Sequence, residues 1–344
     1  MTAAKIDPTQ VRPAQELKHT GPLVGARFDP TGRFVFAGAQ DNTVQRWELA
    51  GGKKASLVGH TSWVRALAFA PKERLLFSGD WAGRVLAWAL DADEPKPLRT
   101  IEAHQGWVRA LTVSPDGKTL ASCGNDRLVR LWSVSDGRLL RELAGHASHV
   151  YNVAFHPDGQ TLASGDLKGV VRLWDLATGA AARDLDGSPL HKYDTVFCAD
   201  HGGVRSMAFS GDGRLLACAG ITDVSNAFAG VGKPVVALFD TKTGQRTLLR
   251  PKVDFQGTCW GVVFHPDGTI AAAGGGNGGA LWFWKPGEAQ AFHTLALPNN
   301  ARDLDLHPDG TRLAVPFFDG AVRVYDLTPK AGSPRGGLTD APGW

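Results

Sequence analysis

The sequence predicts an all-β fold: a single seven-bladed β-propeller of four-stranded antiparallel blades, closed by an N-terminal strand that completes the last blade. Three observations predict it. A turn motif recurs seven times at near-constant spacing, an aromatic residue follows most copies at a fixed distance, and the first strand matches the end of a repeat that has no beginning. A period of 20–50 residues signals stacked repeats, so the length of 344 residues reads as one ring rather than two domains.

The turn motif runs DPTG at 29–32, APKE at 70–73, SPDG at 114–117, HPDG at 156–159, SGDG at 210–213, and HPDG at 265–268 and 307–310. Its second positions step by 41, 44, 42, 54, 55 and 42 residues. Proline presets φ and glycine accepts positive φ, which suits a hairpin turn between the first two strands, a and b. Seventeen residues after most second positions stand Trp47, Trp88, Trp132, Trp174 and Tyr325. Phe239 holds the place in the fifth repeat after an insertion. In the sixth, Trp282 fits if one turn residue is missing, with Trp284 on the same face.

Each repeat divides into four short strands. In the third these are WVRALTVS, TLASCG, LVRLWSV and LLRELAG, alternating or β-branched runs bounded by turn residues. No stretch sustains a helical period. One four-stranded sheet cannot bury both its faces, so seven of them must stack radially.

These residues resemble the WD-repeat β-propeller family. The resemblance rests on Gly59-His60, Gly145-His146, the PDG turns, Trp174-Asp175, and the weaker forms Trp47-Glu48 and Tyr325-Asp326. It covers roughly residues 12–327, leaving 1–11 as a flexible N-terminus and 328–344 as a Gly/Pro-rich tail. It specifies the fold far more than the function, because propellers serve many purposes.

The resemblance also implies an Asp–His–Ser–Trp hydrogen-bond network in each blade. Blade three matches it fully with Asp126, His104, Ser122 and Trp132. Blade one has His19, Asp41 and Trp47, but Ala37 at the serine place. Blades two and four keep His60, Ser78, Trp88 and His146, Ser164, Trp174, while Ala82 and Lys168 replace the turn aspartate. There Asp80 or Asp166 substitutes, or the network is shorter. A Ser/His/Asp set suggests hydrolysis in isolation. Its repetition between blades, and the need of a buried indole N–H for an acceptor, favour a structural role. No catalytic residue is assigned, and no enzyme is expected.

Closure is legible as well. AQELKH at 14–19 aligns with RELAGH at 141–146, which makes residues near 12–18 a fourth strand without its first three. Pairing it with the strand ending at Tyr325 joins the termini and removes the exposed edges. At one strand-a position only blades one and seven carry charge, Arg27 and Asp305, so an ion pair across this seam is expected.

Several classes fall away. Thirty-seven basic and 34 acidic residues give a net charge of +3, too balanced for nucleic-acid binding. No apolar run approaches the roughly 18–20 residues that cross a bilayer, and MTAAKIDPTQ lacks the features of a secretory signal. Four cysteines without a CxxC pair indicate neither a disulfide framework nor a zinc ribbon. A cytoplasmic protein without cofactor, metal, nucleic-acid or membrane partner is therefore expected. Gly274–Gly279 matches GxGxxG formally, but a strand follows where a phosphate-binding loop requires a helix. His191, Cys198 and His201, with Asp194 and Asp200, have zinc-compatible types but no standard spacing.

What remains is a surface. By the resemblance, the d–a and b–c loops share a top face where strand a begins at the central channel. Aligned repeats place Val24, Arg65, Arg109, Tyr151, Arg205, Trp260 and Arg302 at that mouth, with Trp63, Trp107 and His149 one position outward. Guanidinium groups interleaved with aromatics suit a protein segment bearing carboxylate or phosphate. The competing reading pairs these arginines internally, for instance Arg65 with Asp80. Inserts near 186–200 and 221–233 should both rise from the top of blade five, with Phe197 and Phe228 closing over a ligand or anchoring the loops. Expected, then, is a non-enzymatic protein–protein interaction scaffold. The alternative is a small-molecule-binding or enzymatic propeller whose ligand sits at the mouth under those inserts.

Overall fold

A computed structural model describes residues 4–226 and 231–330. Seven four-stranded antiparallel sheets form the blades. Blade three shows the plan, with strands a to d at Val108–Val113, Thr119–Gly124, Val129–Ser133 and Leu139–Leu143. Blade seven takes its first three strands from Asp305–Leu306, Arg312–Pro316 and Ala321–Asp326, and its fourth from Arg12–Lys18. Leu17 pairs with Val322 and Glu16 with Arg323, and Arg323 Nε donates to Glu16 Oε2 at 2.8 Å. The ring thus closes on itself as expected, and strand c of blade seven has a partner on both sides.

Each seam between neighbouring blades has its own apolar core. Trp88 lies among Phe36, Leu57 and Leu76 between blades one and two, and Trp174 among Leu143, Val150 and Leu162 between blades three and four. A sheet buried on both faces explains why strand b is buried almost throughout, wholly apolar as FVFAGA at Phe34–Ala39 in blade one and with only small or network-forming polar residues in blades two to four. The a–b turns behave as their composition requires. Gly117 has φ 83° and donates its N–H to Ser114 O at 2.8 Å, and Arg74 takes the corresponding left-handed conformation in the glycine-less second copy.

Two sequence expectations need correction. Ile270 faces Trp284 across the b–c hairpin, as Leu120 faces Trp132, so Trp284 rather than Trp282 holds the blade-six aromatic position. Gly275–Gly279 and Gly276–Gly278 add two pairs at the tip of that hairpin, which runs two residues longer than in blade three and shifts the count. The lead-in, expected to be flexible over 1–11, is packed where it is described. Pro8 and Val11 are buried, and the Asp7 N–H donates to Leu327 O at 2.8 Å. Most of the tail, 331–344, lies outside the described residues.

The blade networks form. His104 bonds Asp126 at 2.8 Å and Ser122 at 2.7 Å, and Trp132 Nε1 donates to Ser122 Oγ at 2.8 Å. In blades two and four the strand-b aspartates do substitute: His60 meets Asp80 at 2.8 Å and His146 meets Asp166 at 2.9 Å. Each histidine spans a carboxylate and a serine that in turn accepts from tryptophan. Ser78, Ser122 and Ser164 are fully buried in the blade interiors.

Candidate functional site: the channel mouth

The mouth is built by a repeated irregularity at the start of strand a. The a–b register shifts by one residue in five blades, leaving Val24, Arg65, Arg109, Tyr151 and Trp260 unpaired. Such a bulge bends the strand and re-aims one side chain. Arg205 and Arg302 occupy the same place just ahead of their strands, their N–H groups donating to Ala219 O and Pro316 O. Seven blades therefore turn seven side chains toward one opening.

All eight predicted residues, Arg65, Arg109, Tyr151, Arg205, Trp260, Arg302, Trp63 and Trp107, line one cavity of about 250 Å³ there, together with Val24, Gln40 and Trp81. Below it a second space of about 180 Å³ continues down the channel between Arg27, Arg65, Arg109, Arg205, Asn152 and Asp303. The rings and guanidiniums alternate in contact. Arg109 lies 4.2 Å from the Trp107 ring and 4.3 Å from Tyr151; Arg205 is 4.8 Å from Tyr151 and 5.1 Å from Trp260; Arg302 is 5.3 Å from Trp260 and 5.0 Å from Phe318.

None of Arg65, Arg109, Arg205 and Arg302 forms an ion pair among the described residues; Asp80, the internal partner considered for Arg65, binds His60 and Arg84 instead. Burial pushes Arg109 down to about 10, and repulsion from Arg205 and Arg65 adds to it. Burial lowers Arg65, Arg205 and Arg302 as well. Arg205 Nε and Arg302 Nε are buried without a hydrogen-bond partner. Four cations are thus held together at a cost, and Arg109, at about 10, stays charged at neutral pH.

The seam charges differ from expectation. Arg27 Nη1 binds Asp303 at 2.6 Å, while Asp305 Oδ2 accepts the Phe28 N–H at 2.8 Å. The pair crosses the blade-seven to blade-one seam as expected, but through the carboxylate two residues nearer the mouth. Burial pushes the Asp305 carboxyl up to about 6, with Arg27 holding it back from a higher value. The folded protein then retains a proton that the unfolded chain releases near pH 4. This group's contribution to stability falls as pH rises from about 4 to about 6 and is level above. Asp305→Asn removes the dependence. Relative to wild type, the variant should gain about 2 kcal/mol across that window, below the full 1.36 per unit because Asp305 is only half-buried. Urea unfolding at pH 4 and pH 7 measures the difference.

The described residues of the blade-five inserts lie together and do not line the mouth cavity. A hairpin of His191–Asp194 and Ala199–Gly202 packs on the extended hairpin of Leu215–Asn226 and Val231–Asp240, with Lys192 Nζ donating to Val224 O. The alternative ligand site under these inserts therefore loses its roof among the described residues. Tyr193, Val196 and Phe197 are exposed on the first hairpin, and Phe228 lies outside the described residues. His191 pairs with Asp200 at 2.7 Å, Cys198 is exposed at the hairpin turn, and no group of metal-ligating side chains forms among the described residues.

Trp81 was missed. It stacks on Trp107 with ring centroids 3.6 Å apart and leans on Trp63 at 4.6 Å, forming a three-indole shelf beside the arginines. Its signal was present: a tryptophan in a short b–c turn, where blades three and four place Asn125 and Leu167. Phe318 and Gln40 come from turns with no comparable mark.

The family model for the WD domain, G-beta repeat, matches residues 12–48, 51–88, 95–133, 137–175 and 188–223, more than half of the chain. The chain belongs to the WD-repeat family. Among the relatives of this WD-repeat protein, an uncharacterized WD repeat-containing protein of Schizosaccharomyces pombe is 28% identical over 123 residues, covering 34% of this chain and 33% of the relative. Protein hir1 of the same organism is 26% identical over 137 residues, 34% of this chain and 14% of that one. Nuclear distribution protein PAC1-1 of Uncinocarpus reesii is 32% identical over 113 residues, 31% and 25%. The alignments thus span one third or less of these relatives. Among the described residues, no helix of this WD-repeat protein is long and apolar enough to cross a membrane.

Proposed function

We propose that this WD-repeat protein is a non-enzymatic interaction scaffold that receives an acidic segment of a protein partner at the channel mouth. One observation carries the reading: four half-buried, mutually repelling arginines share an opening with four tryptophans and a tyrosine, and no carboxylate of the described chain pairs with them. An incoming carboxylate or phosphate relieves that repulsion and gains bidentate donors, while the aromatic faces supply contact area at small entropic cost. Membership of a family used mainly as interaction scaffolds supports it, and the relatives' names state no reaction. Four unpaired cysteines suit a cytoplasmic setting, which belongs to the same reading.

The test is co-purification from cell extract with wild type and with Arg65→Glu/Arg109→Glu, backed by calorimetry with a glutamate-rich peptide. Recovery unaffected by the reversal sinks the site. A second reading, a small ligand in the channel, is favoured by the space of about 180 Å³ between Arg27, Arg65, Asn152 and Asp303. It requires that a metabolite-sized acid or amine raise the melting temperature in wild type and not in Asp303→Asn.

A further inference from the structure

At the end of the ring opposite the mouth, the blades repeat one contact. The carbonyl two residues after the tryptophan position lies in each c–d turn. In six blades it accepts a hydrogen bond from outside its own sheet. Gln15 donates to Leu49 O at 3.3 Å, Arg46 to Leu90 O at 3.1 Å, Arg99 to Val134 O at 3.2 Å, Arg141 to Leu176 O at 3.1 Å and Arg183 to Thr241 O at 3.4 Å. The lead-in serves blade seven, through the Asp7 N–H on Leu327 O. Arg99, Arg141 and Arg183 reach the following carbonyl too, at 2.6, 3.2 and 2.6 Å. At these three seams an arginine on strand d of one blade staples the next, while Gln15, the strand-c Arg46 and the Asp7 N–H serve the other three.

Blade six breaks the series. Thr247 faces Leu238 in blade five as Arg141 faces Leu131 in blade three, so an exposed threonine stands where the staple belongs. Its side chain is too short to cross the seam. Pro286 O and Gly287 O receive no hydrogen bond from the described residues. Pro286 also lacks the N–H that this position sends to the a–b turn elsewhere, as Val134 does to Lys118 O at 2.9 Å. A cleft of about 640 Å³ opens here, against about 280 Å³ at the same place between blades three and four, where Arg141 fills it. Leu215, Leu238, Phe264 and Ile270 line its apolar part. Asp212, Asp267 and Glu288 stand on its rim with Lys285 and His265; Glu288 lies 3.9 Å from Lys285 and Asp267 lies 2.8 Å from His265, which leaves Asp212 without an ion pair among the described residues.

We propose that this cleft docks an arginine-bearing segment of a partner protein. The guanidinium takes Pro286 O and Gly287 O, and a neighbouring apolar side chain covers the leucines, reproducing in trans the staple that the other seams make in cis. The excess of carboxylates selects a cation, and the planar fork of donors suits two adjacent carbonyls better than an ammonium does. The volume falls within the range of ligand-binding clefts. Its charge is opposite to that of the mouth, so the two sites select different segments.

Calorimetry and NMR titration of the full chain with acetyl-Gly-Leu-Arg-Leu-Gly-amide test it, beside the same peptide carrying citrulline, which keeps the shape and loses the charge. Expected is saturable binding of the arginine peptide with shifts at Leu238, Gly287 and neighbouring residues, weakened at least tenfold by citrulline. Thr247→Arg, which supplies the staple in cis, should abolish that binding while Arg65→Glu/Arg109→Glu leaves it unchanged. No saturable binding, or equal binding of both peptides, overturns the proposal without recourse to a variant. A concentration-dependent dimer that Thr247→Arg dissolves would assign the cleft to a second copy. Binding that emerges only when the chain ends at Lys330 would assign it to the protein's own C-terminal residues. Either result also overturns the partner reading.

Discussion

Arg65→Glu/Arg109→Glu should weaken capture of an acidic segment by about 100- to 1,000-fold, the loss expected when two central arginines worth about 2 kcal/mol each are reversed. The direction follows from charge. Wild type presents four unpaired guanidiniums around one opening; the variant presents two of each sign, which pair with one another and leave little field for an anion. Stability should change little, because the substitution removes repulsion that adds to the burial pulling Arg109 down to about 10. Losing the Arg109 contacts with Trp107 and Tyr151 offsets part of that gain. Calorimetry with a glutamate-rich peptide, alongside thermal unfolding, separates lost recognition from lost fold. A variant that binds as wild type does would remove the mouth from consideration.

Asp80→Ala should cost about 3–5 kcal/mol of unfolding free energy, the range for breaking a buried charged pair by deleting one partner. Asp80 is fully buried and accepts from His60 at 2.8 Å, from the Ala82 and Arg84 N–H groups at 3.0 Å each, and from the Arg84 guanidinium at 3.1 Å. Removing it strands the imidazole that positions Ser78, which in turn accepts the Trp88 indole at 2.7 Å. Asp41→Ala is the matched control. Asp41 also binds a blade histidine, at 2.8 Å, but its side chain is 42% exposed and no serine extends the network. Its loss should cost below about 1 kcal/mol. Urea unfolding of both variants measures the contrast, and equal costs would show that burial does not decide the network's worth.

Different parts of the molecule were legible to different degrees. The mouth was readable because a repeat supplies its own alignment: the residue before a given strand-a position must sit in the same place in every blade. Asp80 and Asp166 were readable only as candidates. Spacing from the serine differs between a strand-b aspartate and the turn aspartate Asp126, and only packing shows that the same imidazole nitrogen is reached from either. Trp282 was misassigned because a longer glycine hairpin is invisible to counting from one end. The choice between Asp303 and Asp305 depended on a distance, not a pattern, and both are acidic residues on one side of the seam.

The sequence by itself determined the ring, its blade number, its closure by residues 12–18 and the seven strand-a side chains at the mouth. Each follows from periodicity, because identical spacing forces identical placement in a closed stack of similar sheets. The tertiary structure alone decided what those placements amount to. Whether an arginine is paired or uncompensated, whether the inserts cover the opening, and whether one seam lacks its staple all depend on neighbours contributed by a different blade. A repeat pattern says where each residue stands in its own blade; the energy of a charge or an open cleft is set by what the next blade brings to within a few ångströms.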